Sequence, residues 1–423
     1  RYLQQGNIKL VMEALRERGL LLKNAPHLAH NQTFLLPGYK WWESPFYGIG
    51  LKIYDWMAGK LGLGASKFLS KEETLKLAPT LDPTDLRGAI LYHDGQFDDA
   101  RLAINLAQTA AQHGAVTLNY FPVTALIKTN DRISGLSVKD ELTGNQYNIK
   151  SKAVINATGV FTDTILHMDD ANHESMIAPS QGIHLVVDKE FLPGNVAILI
   201  PRTDDGRVLF AVPWHDKIVL GTTDTPVDQV REEPVPFEEE INFILKHTAL
   251  YLSRDPQRSD VKSMFAGLRP LVKGKTKKTA ALSRDHLIMV ADSKLITITG
   301  GKWTTYRKMA EDVIDTAVKE IGLPEKKCVT KELLLYGYNL PVPHPLSTSP
   351  DDINRSIAEE MCITVEDYLS RRTRHLLLDA RSAVAAAPEI ARVMAAALGK
   401  DQQWIDRQID QFKALAKNYI LTE

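Results

Sequence analysis

Residues Gly300-Gly301-Lys302-Trp303-Thr304-Thr305-Tyr306-Arg307 gather at one turn what a flat or anionic ligand needs. Glycines allow a backbone to approach such a ligand closely. Lys302 adds a positive charge, and Thr304 and Thr305 add hydroxyls. Upstream, residues 294–299 alternate with period two, as a half-buried strand does. Downstream, Met309, Val313, Ile314, Ala317, Val318 and Ile321 recur at helical spacing. The turn therefore lies where a strand becomes a helix, and the first amides of that helix are unpaired donors. A tight turn with no ligand accounts for the same residues equally well.

Further cations stand beside turns or strand ends: Arg1, Arg269 in Gly267-Leu268-Arg269-Pro270, and Arg284 in Ser283-Arg284-Asp285-His286. Several arginines with one lysine suit a small phosphorylated substrate, because Arg offers a fork to phosphate oxygens and Lys a point charge. His184 begins a strand after Gly182 and has the chemistry of a general base. Each of these also reads, alone, as a surface charge or a satisfied core group. His27 and His30 lack a third ligand, so no metal site is assigned. Lys273-Gly274-Lys275-Thr276 is not a phosphate loop, since Arg269 stands where its first glycine is required. The glycines at 59–64 follow no strand and make no dinucleotide fingerprint.

The whole-chain properties narrow the class. A length of 423 residues predicts two or three domains. A net charge of −1 argues against a general nucleic-acid binder. Two cysteines, Cys328 and Cys362, exclude a disulfide framework and fit a reducing compartment. No apolar run reaches the ~18 residues of a spanning helix. The opening residues, Arg1-Tyr2-Leu3, read like the middle of a longer chain.

The elements that must position these groups follow from periodicity and caps. Helices are predicted over 7–18, ended by Gly19, and over 98–113, with Asp98 and Asp99 at the favourable end of the dipole. Strands are predicted at 115–118, 123–129, 132–138, 145–149 and 153–156, the last running into Thr158-Gly159. A strand-rich block follows at 183–187, 196–200, 207–212 and 217–221, with a helix at 237–252 and a strand at 262–270. A proline-rich stretch at 323–350 reads as a linker, and helices are predicted at 351–360, 364–378, 386–398 and 401–418. The aromatic stretch at 41–57 is read first as a core helix. Its sharper reading is an interfacial amphipathic segment, since Trp, Tyr and Lys together suit a membrane surface.

The motifs in combination are more specific than any one of them. Arg1-Tyr2-Leu3, Asp98-Asp99-Ala100-Arg101-Leu102, Asn156-Ala157-Thr158-Gly159, Gly221-Thr222-Thr223-Asp224, Gly267-Leu268-Arg269-Pro270-Leu271, Ser283-Arg284-Asp285-His286, the Gly300–Arg307 stretch and Glu366-Asp367-Tyr368-Leu369-Ser370-Arg371-Arg372-Thr373-Arg374 occur in this order. In this the chain resembles the FAD-dependent glycerol-3-phosphate dehydrogenase family over essentially its whole length.

The resemblance implies an α/β, glutathione-reductase-like FAD-binding domain, a substrate domain on a mixed or antiparallel sheet, and a C-terminal helical domain. The division it suggests is 1–345 for the oxidoreductase region, with FAD-binding parts near 1–20, 90–160 and 285–322 and substrate-binding parts near 21–89 and 161–284, then 346–423. It implies a natural start roughly 50 residues earlier, with a glycine-rich first βαβ unit. The implied activity is oxidation of sn-glycerol 3-phosphate to dihydroxyacetone phosphate, with electrons passed to a membrane quinone. The implied location is peripheral, on the cytoplasmic face of the membrane, and a homodimer is carried as the assembly. Arg1, Tyr2, Arg269 and Lys302 would hold the substrate, and His184, Arg284 and Lys302 would act at the reacting carbon. Thr158, Gly159, Gly300, Gly301, Lys302, Trp303 and Thr304 would face the flavin, with Trp303 departing from the Leu often found there. His184 is expected to titrate near the ordinary imidazole value, about 6.5. An oxygen-using glycerophosphate oxidase shares the first half-reaction, but such oxidases tend to carry a central insertion not evident here. A non-catalytic phosphate-binding module is the distant alternative.

Overall fold

The structure is a computed structural model and describes residues 8–201, 203–204, 206–273 and 286–422. β1 (Ala29–Gly38), β2 (Lys67–Ser70) and β3 (Gly88–Phe97) form one end of a nine-stranded mixed sheet. β4 (Val123–Thr129), β5 (Arg132–Lys139) and β6 (Gln146–Lys150) make a separate antiparallel sheet. After β7 (Ile155–Asn156), the strands β8 (Ile177–Asp188), β9 (Val196–Ile200), β10 (Leu209–Trp214), β11 (Lys217–Gly221), β12 (Thr225–Pro226) and β13 (Ser263–Val272) complete the large sheet. Its order is β12-β8-β11-β10-β9-β1-β3-β2, with β13 also paired to β8. β14 (His286–Val290) pairs antiparallel with β15 (Ile296–Gly300), which runs parallel to β7 in a third sheet.

The pleat decides what each face of β8 does, since alternate residues point to opposite sides. Ile183, Leu185 and Val187 enter the main core together with Ile241 and Ile244 of a covering helix. That leaves Ser180, Gly182 and His184 on the other face.

Among the described residues eleven α-helices accompany the sheets. α1 (Ile8–Asn24), α2 (Glu43–Ala58), α3 (Lys71–Leu77), α4 (Asp99–Gln112), α5 (Thr162–Asp169), α6 (Glu238–Ala249) and α7 (Tyr306–Glu320) lie among the sheets. α8 (Pro350–Glu359), α9 (His375–Leu378), α10 (Ala380–Leu398) and α11 (Gln402–Ala416) form a helical unit around Tyr368, Leu369, Met394 and Phe412. That unit is clamped to α4. Arg101 donates twice to Glu360 at 2.8 Å, and Arg374 donates to Asp98 at 2.7 Å while Asp98 caps α4.

Four local expectations change. α1 does not stop at Gly19 but continues to Asn24, because the missing side chain there admits Leu61, whose Cβ lies 2.8 Å from where a Cβ would stand. Residues 115–118 form no strand; Val116 and Leu118 are exposed, and no ladder bond fixes the segment. The helix predicted to begin at 386 starts at Ala380, because the Asp379 side chain accepts from Ser382 N and caps it there. The helix predicted over 364–378 is split into a π-helical turn, Asp367–Arg372, and α9.

The core reading of the aromatic stretch is also overturned. One side of α2 packs inward through Tyr47 and Leu51 against Phe34 and Tyr92. The opposite side presents Phe46, Ile49 and Trp56 to solvent, with Ile49 67% and Trp56 83% exposed, and Trp41 beside it 76% exposed. Among the described residues no helix is long and apolar enough to cross a membrane.

Candidate active site

β8 and β13 bring the histidine and the arginine together. In their antiparallel register Arg269 faces Ser180, Gly267 faces Gly182 and Phe265 faces His184, so all six share one face. β11 adds Gly221 opposite His184. Two glycines make seats for the two functional side chains. A Cβ on Gly182 would lie 2.2 Å from Arg269 Nη2, and a Cβ on Gly221 would lie 2.3 Å from His184 Cδ2. His184 stacks on Phe265 at 5.2 Å. Burial, reinforced by the Arg269 guanidinium, lowers its pKa to about 4. The expected titration near 6.5 is thereby corrected: desolvation penalises the imidazolium, and a neighbouring cation adds to the penalty.

Residues 221–225 complete the surroundings of Arg269. Arg269 Nη2 donates to Thr222 Oγ1 at 3.2 Å, and Nη1 lies 3.7 Å from Asp224 Oδ1. Ser180 Oγ donates to the same Asp224 oxygen. Ser180, Gly182, Gly221, Thr222 and Asp224 had no role assigned from sequence. The usable signal was a glycine two residues before His184 together with the Gly-Thr-Thr-Asp run.

The predicted turn at the end of β15 is present. Gly300 and Gly301 have φ of 75° and 78°, the left-handed region that favours glycine. A 3₁₀ turn, Trp303–Thr305, then leads into α7. Parallel to β15, β7 runs into Thr158 and Gly159, the latter at φ 61°. Two glycine-bearing turns thus lie at the carboxyl ends of adjacent parallel strands, the place where α/β sheets receive ligands. Among the described residues, its two chain neighbours aside, nothing comes within 4 Å of where a Gly159 Cβ would be. This open backbone surface fits the flat ring of a flavin. A layer of hydroxyls and one amide ties the two turns: Thr158 Oγ1 donates to Asn156 Oδ1 at 2.8 Å, and Thr162 Oγ1 to Thr299 Oγ1 at 3.1 Å. β13 packs against both the Gly159–Phe161 turn and β15, which joins the His184/Arg269 face to the paired turns.

Lys302, Trp303 and Thr304 stand in the turn that follows Gly301. Trp303 packs on Phe97 and Tyr306, at 6.4 and 5.4 Å between ring centres. Lys302 and Thr304 are half-buried within the turn. Arg307, which ends the same motif, is withdrawn from ligand chemistry by a bidentate pair with Glu17 at 2.7 and 2.8 Å. Arg1, Tyr2 and Arg284 lie outside the described residues. His27 and His30 bond separately to Asn105 and Gln96.

Residues 1–307 match the family model described as FAD dependent oxidoreductase, and residues 341–405 match the C-terminal domain of alpha-glycerophosphate oxidase. The mitochondrial glycerol-3-phosphate dehydrogenase of Schizosaccharomyces pombe is 36% identical over 509 aligned positions, covering 99% of this chain and 78% of its own length. The protein of the same name from Bos taurus is 38% identical over 488 positions and covers 100% of this chain, which in turn spans 66% of that relative, just under two thirds. The solved glycerol-3-phosphate dehydrogenase from Bacillus halodurans, complexed with FAD, is similar with a TM-score of 0.80 at 26% identity, over 96% of this chain and 85% of that one.

Proposed function

The chain belongs to the FAD-dependent glycerol-3-phosphate dehydrogenase family, and from that premise we propose that it oxidises sn-glycerol 3-phosphate to dihydroxyacetone phosphate. A bound FAD would supply the acceptor for the hydride of the substrate's C2. Thr158, Gly159, Gly300, Gly301, Lys302, Trp303 and Thr304 would hold it. The chain's own residues bind, orient and move a proton. Arg269 receives the phosphate, which anchors a non-reacting group and so orients the reacting carbon. His184 accepts the C2 hydroxyl proton on an imidazole nitrogen. It is neutral above pH about 4 and so has a lone pair to offer. A phosphate on Arg269 offsets the guanidinium charge that depresses the imidazole, so occupancy of the site raises the basicity the reaction needs. In this reading Arg1, Tyr2 and Lys302 join Arg269 in holding the substrate, and Arg284 joins His184 at the reacting carbon.

The observation that carries the proposal is the pair itself: His184 and Arg269 on one sheet face, each seated against a glycine, with the arginine's strand β13 packed on the Gly159–Phe161 turn and on β15. Electrons then pass to a membrane quinone, and the protein docks peripherally as a homodimer. The exposed Phe46, Ile49 and Trp56 of α2 support the docking, since aromatic rings beside a lysine suit the interfacial layer.

The test is glycerol 3-phosphate-dependent dye reduction by the FAD-loaded protein, with peroxide measured in the presence and absence of quinone. Reduction without stoichiometric peroxide is expected; no reduction refutes the activity, and stoichiometric peroxide makes it an oxidase. Flotation with liposomes tests docking. Trp56→Lys and Ile49→Lys should reduce flotation several-fold, and unchanged flotation moves the contact away from α2.

A further inference from the structure

Residues 221–225 form a two-faced strap. Thr222 and Asp224 face Arg269, whereas Thr223 and Thr225 point the other way. Both of these donate to a single oxygen, Glu240 Oε1, at 2.7 Å. Glu240 Oε2 accepts from Gln181 Nε2 at 2.8 Å and from Phe237 N at 3.1 Å. Glu240 is 4% exposed, and its carboxylate accepts from two hydroxyls, an amide and a backbone N–H. Four acceptor directions are what a carboxylate offers, and here all four are used. Thr223 Oγ1 also accepts from Ile183 N at 3.1 Å, which ties the strap to β8 one residue before His184.

We propose that Glu240 is a positioning residue for the anion-binding arginine. Through Thr223 and Thr225 it fixes the strap, and through the alternate residues Thr222 and Asp224 it fixes the guanidinium of Arg269. Of its two remaining bonds, one caps its own helix at Phe237 N and the other holds Gln181, between Ser180 and Gly182, so the same carboxylate sets both sides of the arginine seat. A free arginine side chain loses substantial rotamer entropy on binding an anion; a guanidinium held beforehand loses less, and affinity rises accordingly. The inference rests on Arg269 being the phosphate anchor.

Glu240→Gln is a weak test, because a turned amide can donate to both threonine hydroxyls and still accept from Gln181 and Phe237. Thr223→Val is better, since it keeps the shape and removes the hydroxyl; Thr223→Ser keeps the hydroxyl and serves as the control. Glu240→Ala is the stronger variant. In the FAD-loaded enzyme, Thr223→Val should raise KM for glycerol 3-phosphate, and the inhibition constant of inorganic phosphate, by about tenfold. Saturating kcat should change less than about threefold, and Thr223→Ser should behave as the parent. A purely structural role would lower the melting temperature and leave both constants of the folded enzyme unchanged, which overturns the proposal. Arg269→Ala, measured alongside, separates the two levels. If it raises both constants while Thr223→Val and Glu240→Ala do not, the positioning role alone falls. If it raises neither, the phosphate-anchor reading falls and the inference with it.

Discussion

Replacing Gly182 by Ala perturbs the candidate site with little disturbance of the fold. Gly182 is buried in β8, opposite Gly267, in a backbone conformation open to any residue. A Cβ there would stand 2.2 Å from Arg269 Nη2, 2.5 Å from Nη1 and 2.6 Å from Cζ. Ordinary contact begins near 3.4 Å, so the guanidinium must retreat by roughly 1.2 Å, the difference between 3.4 and 2.2 Å. The group that moves is the far end of a flexible side chain, so folding stability should fall by less than about 1 kcal/mol. Anchoring is affected far more. The Nη2 bond to Thr222, at 3.2 Å, is already near the limit of a hydrogen bond and does not survive such a shift. A charge-assisted bond to phosphate contributes about 1.5–3 kcal/mol, which is roughly ten- to a hundredfold in affinity. Steady-state dye reduction with glycerol 3-phosphate should therefore show KM raised by that factor with an unshifted melting temperature. Gly221→Ala offers the contrast. Its Cβ would meet the His184 ring at 2.3 Å, so the loss should appear in kcat. A Gly182→Ala enzyme with the parent KM, or one in which kcat alone falls, would refute the assignment of Arg269 as anchor.

His184→Asn should slow reductive turnover by about 10²–10⁴ while FAD stays bound; a variant with the parent rate and pH profile removes His184 from the mechanism. In the free parent enzyme the acidic limb should fall near pH 4 rather than 6.5, as read from kcat/KM against pH. The same shift has a stability consequence. The folded-state value is depressed, so the unfolded chain binds the proton first, and stability present above pH 6.5 is lost as pH falls toward 4, as a pH series of denaturation midpoints will record. Burial works to raise the Glu360 carboxyl, but hydrogen bonds and charge from Arg101 prevail and hold it below the usual range. Glu360→Gln should therefore cost about 3–5 kcal/mol, as breaking one partner of a buried pair does; a denaturant midpoint equal to the parent's would show that the helical unit is held by other contacts.

Much of the fold was legible because it rests on short-range rules. The strand runs at 196–200 and 217–221 became β9 and β11 with unchanged bounds. The 294–299 run and its glycines became β15 and the left-handed turn, since glycine adopts successive positive φ values at the least steric cost. Residue type alone also made Arg269 and His184 candidates. What sequence reasoning missed depended on partners far along the chain. Gly19 continues α1 because Leu61 packs there, and Val116 and Leu118 read as a strand but find no ladder to join. The outward face of α2 depends on which side Phe34 and Tyr92 occupy. The site itself was decided at the same level. A period of two tells that Ser180, Gly182 and His184 share a face, but only strand pairing across more than 80 residues sets Arg269 against Ser180 and Phe265 against His184. Once that register exists, desolvation by the surroundings, reinforced by the arginine's charge, takes the imidazole to about 4, a property that His184 does not have by itself.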